Sequence, residues 1–116
     1  MMRYILSFGL FLSCSALSGC VSDHAGTINR IAGLDVCPSS KIEVIPQPPE
    51  SEDVSAYHIL LGKSCFAKLV SSSYEASKRE CEKMLPTNRE CFYIYKHHSI
   101  VFKINPAHYE ASVRAW

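Results

Sequence analysis

From Tyr57 onward the apolar and polar positions fall into a regular pattern. Tyr57 to Leu61 is a short apolar run, followed by Gly62-Lys63 and then by Ser64 to Val70. Glycine at the first central position of a two-residue loop suits a type II′ turn, so this stretch predicts a β-hairpin. Ser72-Ser73-Tyr74-Glu75 matches a capping box, in which a serine side chain accepts from the N3 amide and a glutamate reaches back. Tyr74, Ser77, Cys81, Met84 and Leu85 then recur at helical spacing, Glu75 precedes Arg79 by one turn, and Pro86 is expected to end the helix. Cys91 to Lys96 and Ser99 to Ile104 are rich in aromatic and β-branched residues and predict a second hairpin turning at His97-His98. Asn105-Pro106 reads as an N-cap followed by proline at N1, with Tyr109, Val113 and Trp116 on one face of a short C-terminal helix. The string is hairpin, helix, hairpin, helix. Its simplest packing is an α+β fold, a small antiparallel sheet of two hairpins with one main helix and a short C-terminal one. A Cys-Phe pair occurs in each hairpin (Cys65-Phe66, Cys91-Phe92), which is too short a match to define a repeat.

Upstream the pattern is weaker. Ile42 to Ile45 fits a short strand, and Pro46 to Asp53 is an acidic, proline-rich connector that favours extended backbone. Val21 to Ile31 is polar and rich in small residues and reads as a tether. The expected division is therefore 1–19 as a leader, 20–55 as tether and connector, and 56–116 as the folded domain.

The leader has its own pattern. Arg3 precedes an apolar run from Ile5 to Leu12, and small residues follow up to Cys20. That is the order of a secretory signal, and the run is shorter than the ~20 apolar residues a membrane span needs. Leu17-Ser18-Gly19-Cys20 resembles the lipobox of bacterial lipoproteins. The resemblance implies cleavage before Cys20 and acylation of its thiol, so that Cys20 opens the mature protein. In the Gram-negative families with this motif, Asp after the cysteine favours inner-membrane retention. Val21 therefore implies an outer-membrane lipoprotein facing the periplasm. An ordinary cleaved signal peptide is the competing reading.

Loss of residues 1–19 leaves 97 of 116, enough for one small domain. Without Arg3 the 12 basic residues become 11, against 11 acidic ones, a formal charge of zero. Nothing in that balance favours a phosphate backbone, so nucleic acid is not an expected partner. Of the 6 cysteines, Cys14 leaves with the leader and Cys20 carries lipid. Cys37, Cys65, Cys81 and Cys91 remain, an even number suited to disulfides in an oxidising compartment. Their spacings of 28, 16 and 10 contain no Cys-x-x-Cys pair of a zinc site. Three connectivities are open. The five-residue link from Pro86 to Glu90 brings Cys81 and Cys91 within reach, so Cys81–Cys91 is expected, and Cys37–Cys65 follows by elimination.

The constellations that carry chemistry are thin. Gly62-Lys63-Ser64 has the end of a phosphate loop, but its required first glycine is Tyr57. His97, His98 and His108, with His58 as a possible fourth, are the ligands of an alternative metal-binding reading, yet no carboxylate stands beside them at useful spacing. The serines form no Gly-x-Ser-x-Gly elbow, and Glu50, Glu52 and Asp53 sit in the connector, where burial cannot tune them. No catalytic residue, metal ligand or cofactor is therefore assigned, and an enzyme is not expected. A small hydrolase with an unrecognised site is the remaining alternative.

The aromatic strands are the strongest remaining signal. Both alternating faces of Phe92 to Tyr95 are apolar, and one helix covers only one face of a sheet. The other face needs the terminal helix, the segment near Ile42 to Ile45, or another protein. Tyr93, Tyr95, Phe102 and Trp116 are thus the candidate partner-binding residues, since large rigid side chains dominate binding hot spots. The function expected is a lipid-anchored envelope protein acting as an interaction module, an accessory subunit or an inhibitor, with a membrane attachment and a protein partner.

Overall fold

Asp23, in the segment expected to be a tether, instead caps a helix. In the computed structural model, which describes residues 23–51 and 54–116, the first element is α1, His24–Ala32. The Asp23 carboxylate accepts from the Gly26 amide at 2.9 Å. Ala25, Ile28 and Ala32 then fall on one buried face. Gly33 ends the helix at φ 70°, its N–H donating to the Asn29 carbonyl at 3.0 Å. A Cβ at Gly33 would lie 2.4 Å from the Tyr95 ring, so glycine is needed there for conformation and for space. The expectation of a polar tether fails because the polar residues of this segment are a cap and a solvated helix face. The signal peptide and Cys20 lie outside the described residues.

The fold class is the one expected, α+β with an antiparallel sheet and two disulfides. The strands are β1 (Lys41–Val44), β2 (Ser55–Leu60), β3 (Glu90–Tyr95), β4 (His98–Asn105) and β5 (Glu110–Ala115), in the spatial order β1-β2-β5-β4-β3. A 3₁₀ turn, Pro49–Ser51, interrupts the connector between β1 and β2. The remaining helices are α2 (Lys63–Ala76) and α3 (Glu80–Asn88).

Three expected elements change identity. Ser64 to Val70 is the start of α2, not a second hairpin strand: Phe66, Leu69 and Ser73 are buried at helical spacing, and Gly62 is the N-cap. The supposed capping box therefore falls inside a helix, where the Ser72 and Ser73 hydroxyls donate back to the Leu69 and Val70 carbonyls at 2.6 Å. The helix expected to run on to Leu85 breaks at Lys78 and Arg79, both left-handed at φ 53° and 75°. The Ser77 hydroxyl, buried at the break, accepts from the Cys81 amide at 2.9 Å and caps the start of α3. Periodicity read through this break because Tyr74, Ser77, Cys81 and Leu85 keep facing the core across it. Pro86 sits inside α3, which continues to Asn88.

The third change is the largest. The expected C-terminal helix is β5, and it is the central strand. Tyr57, Val113 and Phe102 pair across β2, β5 and β4, and Cys91 follows on β3. Ala111, Val113 and Ala115 face the core in strict alternation, while Asn105 to Tyr109 forms the turn before it. Tyr95 pairs with His98, so the second hairpin turns at Lys96-His97, one residue earlier than expected.

Both expected disulfides form, Cys37–Cys65 with Cα atoms 5.9 Å apart and Cys81–Cys91 at 5.2 Å. The first ties the chain after α1 to the first turn of α2, where a hairpin was expected. Nearby, the Asn29 side chain accepts from the Val36 amide at 2.8 Å, and the Ser72 hydroxyl accepts from the Asp35 amide at 3.0 Å. Residues 24–37 are thus part of the domain, which begins well before Ala56.

Candidate functional site

The helices lie on one face of the sheet. Cys91 and Tyr93 share that inner face with Tyr57: Cys91 is bonded to α3, Tyr93 to α1, and Tyr57 touches His24 of α1 with ring centroids 5.9 Å apart. Ile28, Leu69, Leu85, Ile59, Ile100, Phe102 and Val113 are buried between the two layers. Of the internal covers anticipated for the outer face, no terminal helix is present among the described residues, and the Ile42 to Ile45 segment contributes Ile45 at one rim. The terminal helix is a strand, and the Ile42 region joins the sheet at its edge beside β2.

The four aromatic candidates divide accordingly. Phe102 is fully buried and builds the core. Tyr93 is an inner-face residue too, its hydroxyl donating to the Ala32 carbonyl at 2.7 Å and so closing the end of α1. Tyr95 is half-buried against Gly33. Only Trp116 is a surface aromatic, 47% exposed on the outer side. Two residues not singled out in the sequence accompany it, Phe92 at 56% and Ile94 at 73% exposure. A signal for them was present: a bridge from Cys81 on a packed helix turns Cys91 to the core. Strand alternation then sends Tyr93 inward and Phe92 and Ile94 outward.

These side chains form one surface. Phe92 pairs with Val101, Val101 with Arg114, and Arg114 with Ala56, while Ile94 pairs with Ser99 beside Trp116. Phe92, Val101 and Trp116 line two adjoining hollows of about 280 and 710 Å³. The larger also takes in Ile94 and the α2–α3 junction at Lys78 and Glu80. Charged side chains stand beside the apolar ones: Arg114, on the central strand, lies between Val101 and Ala56, and a Lys103–Glu90 pair at 3.6 Å adjoins Phe92.

The residues with chemical potential are scattered. His97 and His98 stand at the β3–β4 turn and His108 at the β4–β5 turn, at opposite ends of an eight-residue strand. At ~3.4 Å per residue these ends are more than ~20 Å apart, so the three histidines cannot share an ion within one domain. Among the described residues no group of three histidine, cysteine or acidic side chains is placed to hold a metal. Glu43, His58 and Ser112 do line up across β1, β2 and β5. However, the His58 ring lies 3.7 Å from both Glu43 and Glu110, beyond hydrogen-bonding distance, and Ser112 makes no bond to it. That row lacks the nucleophile–base contact of a hydrolytic triad.

The titration of Tyr93 is markedly altered. Burial, reinforced by the neighbouring Tyr95, pushes its phenol above the ordinary tyrosine range. A raised acid pKa means that the folded state holds its proton more tightly. The stabilisation is whole below the unfolded value of about 10 and is lost as pH rises beyond it. Tyr93→Phe should therefore cost about 1–2 kcal/mol at neutral pH through the unpaired Ala32 carbonyl, yet flatten the loss of stability on going from pH 9 to pH 11. Thermal melts of both proteins across that range check this, and an unchanged alkaline slope would refute the assignment.

Compared with family models, curated proteins and solved structures, the chain matches none.

Proposed function

We propose that this is a bacterial envelope lipoprotein, anchored through acylated Cys20, that works by binding another protein and not by catalysis. The observation that carries the reading is the outer sheet face, where Phe92, Ile94 and Trp116 are exposed together and no helix among the described residues packs over them. Exposed apolar patches on folded domains mark interaction sites, and here Phe92, Ile94 and Trp116 stand beside Arg114, the aromatic and arginine composition enriched at binding surfaces. The disulfides fit an oxidising envelope compartment. Leu17-Ser18-Gly19-Cys20 and Val21 support lipidation and an outer-membrane destination facing the periplasm.

Because Asp23 already caps α1, only Val21 and Ser22 lie between the lipidated residue and the domain. A segment of that length spans roughly 10 Å at full extension. The domain would thus be held close against the bilayer, and its partner would be reached at the membrane surface.

Two measurements test this. Mass spectrometry of the mature N-terminus should find acyl chains on Cys20, and Cys20→Ser should leave the protein unprocessed or released from the membrane. An unmodified N-terminus elsewhere would refute the anchor. Separately, a photo-crosslinking residue placed at Trp116 in cells should yield discrete protein adducts, whereas one at Lys83 on the helical side should not. Equal labelling from both positions would refute the binding face.

A further inference from the structure

The two edges of the sheet are built differently. The β1 edge is four residues long, carries Lys41 and Glu43, and is followed by Pro46, all features that discourage strand addition. The β3 edge has six residues, no proline, and no charge between Glu90 and Lys96. Its main-chain groups are also accounted for. Ile104 donates to the Arg89 carbonyl at 2.9 Å, and Ser99 and Trp116 exchange bonds at 2.9 and 3.1 Å. Alternation along the ladder then commits Cys91, Tyr93 and Tyr95 to β4. Glu90, Phe92 and Ile94 turn their N–H and C=O groups outward, beside the hollow of about 710 Å³.

We propose that a second copy of this chain pairs along that edge, β3 antiparallel to β3 about a two-fold axis at Tyr93. This deepens the binding-module reading by naming its partner. In that register Phe92 stands opposite the partner's Ile94, and each such pair exchanges both N–H···O=C bonds. Beyond each end of the paired strands, Glu90, which borders Lys103, lies toward the partner's Lys96, the first residue of the turn after β3. Apolar side chains meet apolar ones, and acid lies toward base, on both sides of the axis. This self-complementarity is what selects a second copy over an unrelated strand: β3 supplies the side chains that its own edge requires, as an isologous contact demands. The result is a continuous sheet in which the exposed faces of Phe92 and Ile94 are shared between the copies.

The test uses the full chain purified in a mild detergent, with sedimentation equilibrium corrected for the micelle. The wild-type protein should be a dimer, and Phe92→Lys and Ile94→Glu should each be folded monomers. The double variant Phe92→Lys/Ile94→Glu should dimerise again, because each introduced lysine then faces an introduced glutamate. Amide exchange on the wild-type protein gives a readout that needs no substitution: Phe92 and Ile94 should exchange as slowly as Cys91 and Tyr93. A wild-type monomer at every concentration, fast exchange at Phe92 and Ile94, or a folded double variant that stays monomeric would each overturn the pairing. Adducts from Trp116 to a different protein, with the chain monomeric, would overturn it too while leaving the proposed binding function standing.

Discussion

Phe102→Ala should lower the free energy of unfolding by about 3–5 kcal/mol, the cost of truncating a wholly buried aromatic. Phe102 pairs with Cys91 on one side and Val113 on the other, and it lies under the helices at the middle of the inner face. The loss should appear as a melting temperature lower by at least about 12 °C, on the scale of a domain of this size. Trp116→Ala is its counterpart. With half its surface already in water, it should change stability by no more than about 0.5–1 kcal/mol while abolishing the partner adducts formed by a photo-crosslinking residue at the neighbouring, exposed Ser99. Thermal melts and adduct formation, measured on the same preparations, separate the two roles. Equal destabilisation by both substitutions would remove the distinction between the inner and outer faces on which the binding reading stands.

The second large effect concerns the disulfides. Closing a loop lowers the entropy of the unfolded chain by an amount that grows with the logarithm of its length. For sequence separations of 28 and 10 residues, Cys37–Cys65 should contribute about 3.5 kcal/mol and Cys81–Cys91 about 2.7 kcal/mol. Paired alanine replacements at each bridge, compared by urea titration, check both the size and the order. Cys81 and Cys91 are the more deeply buried pair. If their replacement proves the costlier one, packing around the sulfurs outweighs loop closure.

What could be read from the sequence follows a physical line. The disulfide pairing and the second hairpin were legible because they rest on local geometry: a short link after a helix, and a strong period of two in Cys91 to Ile104. The β5 strand was not, because its inward positions Ala111, Val113 and Ala115 are small and carry little hydrophobic contrast. Tyr109, Val113 and Trp116 meanwhile happen to fall at helical spacing. Pairing with β2 and β4 decides the outcome, and propensity does not. Ser64 to Val70 went wrong in the opposite direction. A glycine that suits a hairpin turn is equally at home at a helix N-cap, and only the burial of Phe66, Leu69 and Ser73 resolves the choice. For α1 the start and stop signals, Asp23 and Gly33, were present, but the apolar face between them is made mostly of alanine and isoleucine set among polar residues. The candidate site was half legible. Of the four aromatic candidates Trp116 is exposed on the outer side, whereas finding Phe92 and Ile94 requires the facing of Cys91 to be carried along the strand.

The position of β5 also sets an order of assembly. The strand comes after all its neighbours in the chain, yet it sits between β2 and β4, pairing Tyr57 with Val113 across most of the domain. Until it arrives, the β1–β2 and β3–β4 hairpins are separate pieces, each with an unsatisfied edge. Both disulfides close within residues 37–91 and so can form before the sheet does. Such long-range closure is slow relative to local helix and hairpin formation. Any chain that has closed both bridges before β5 docks would hold a vacant slot for one strand, and that open slot is where pairing with a wrong chain would begin.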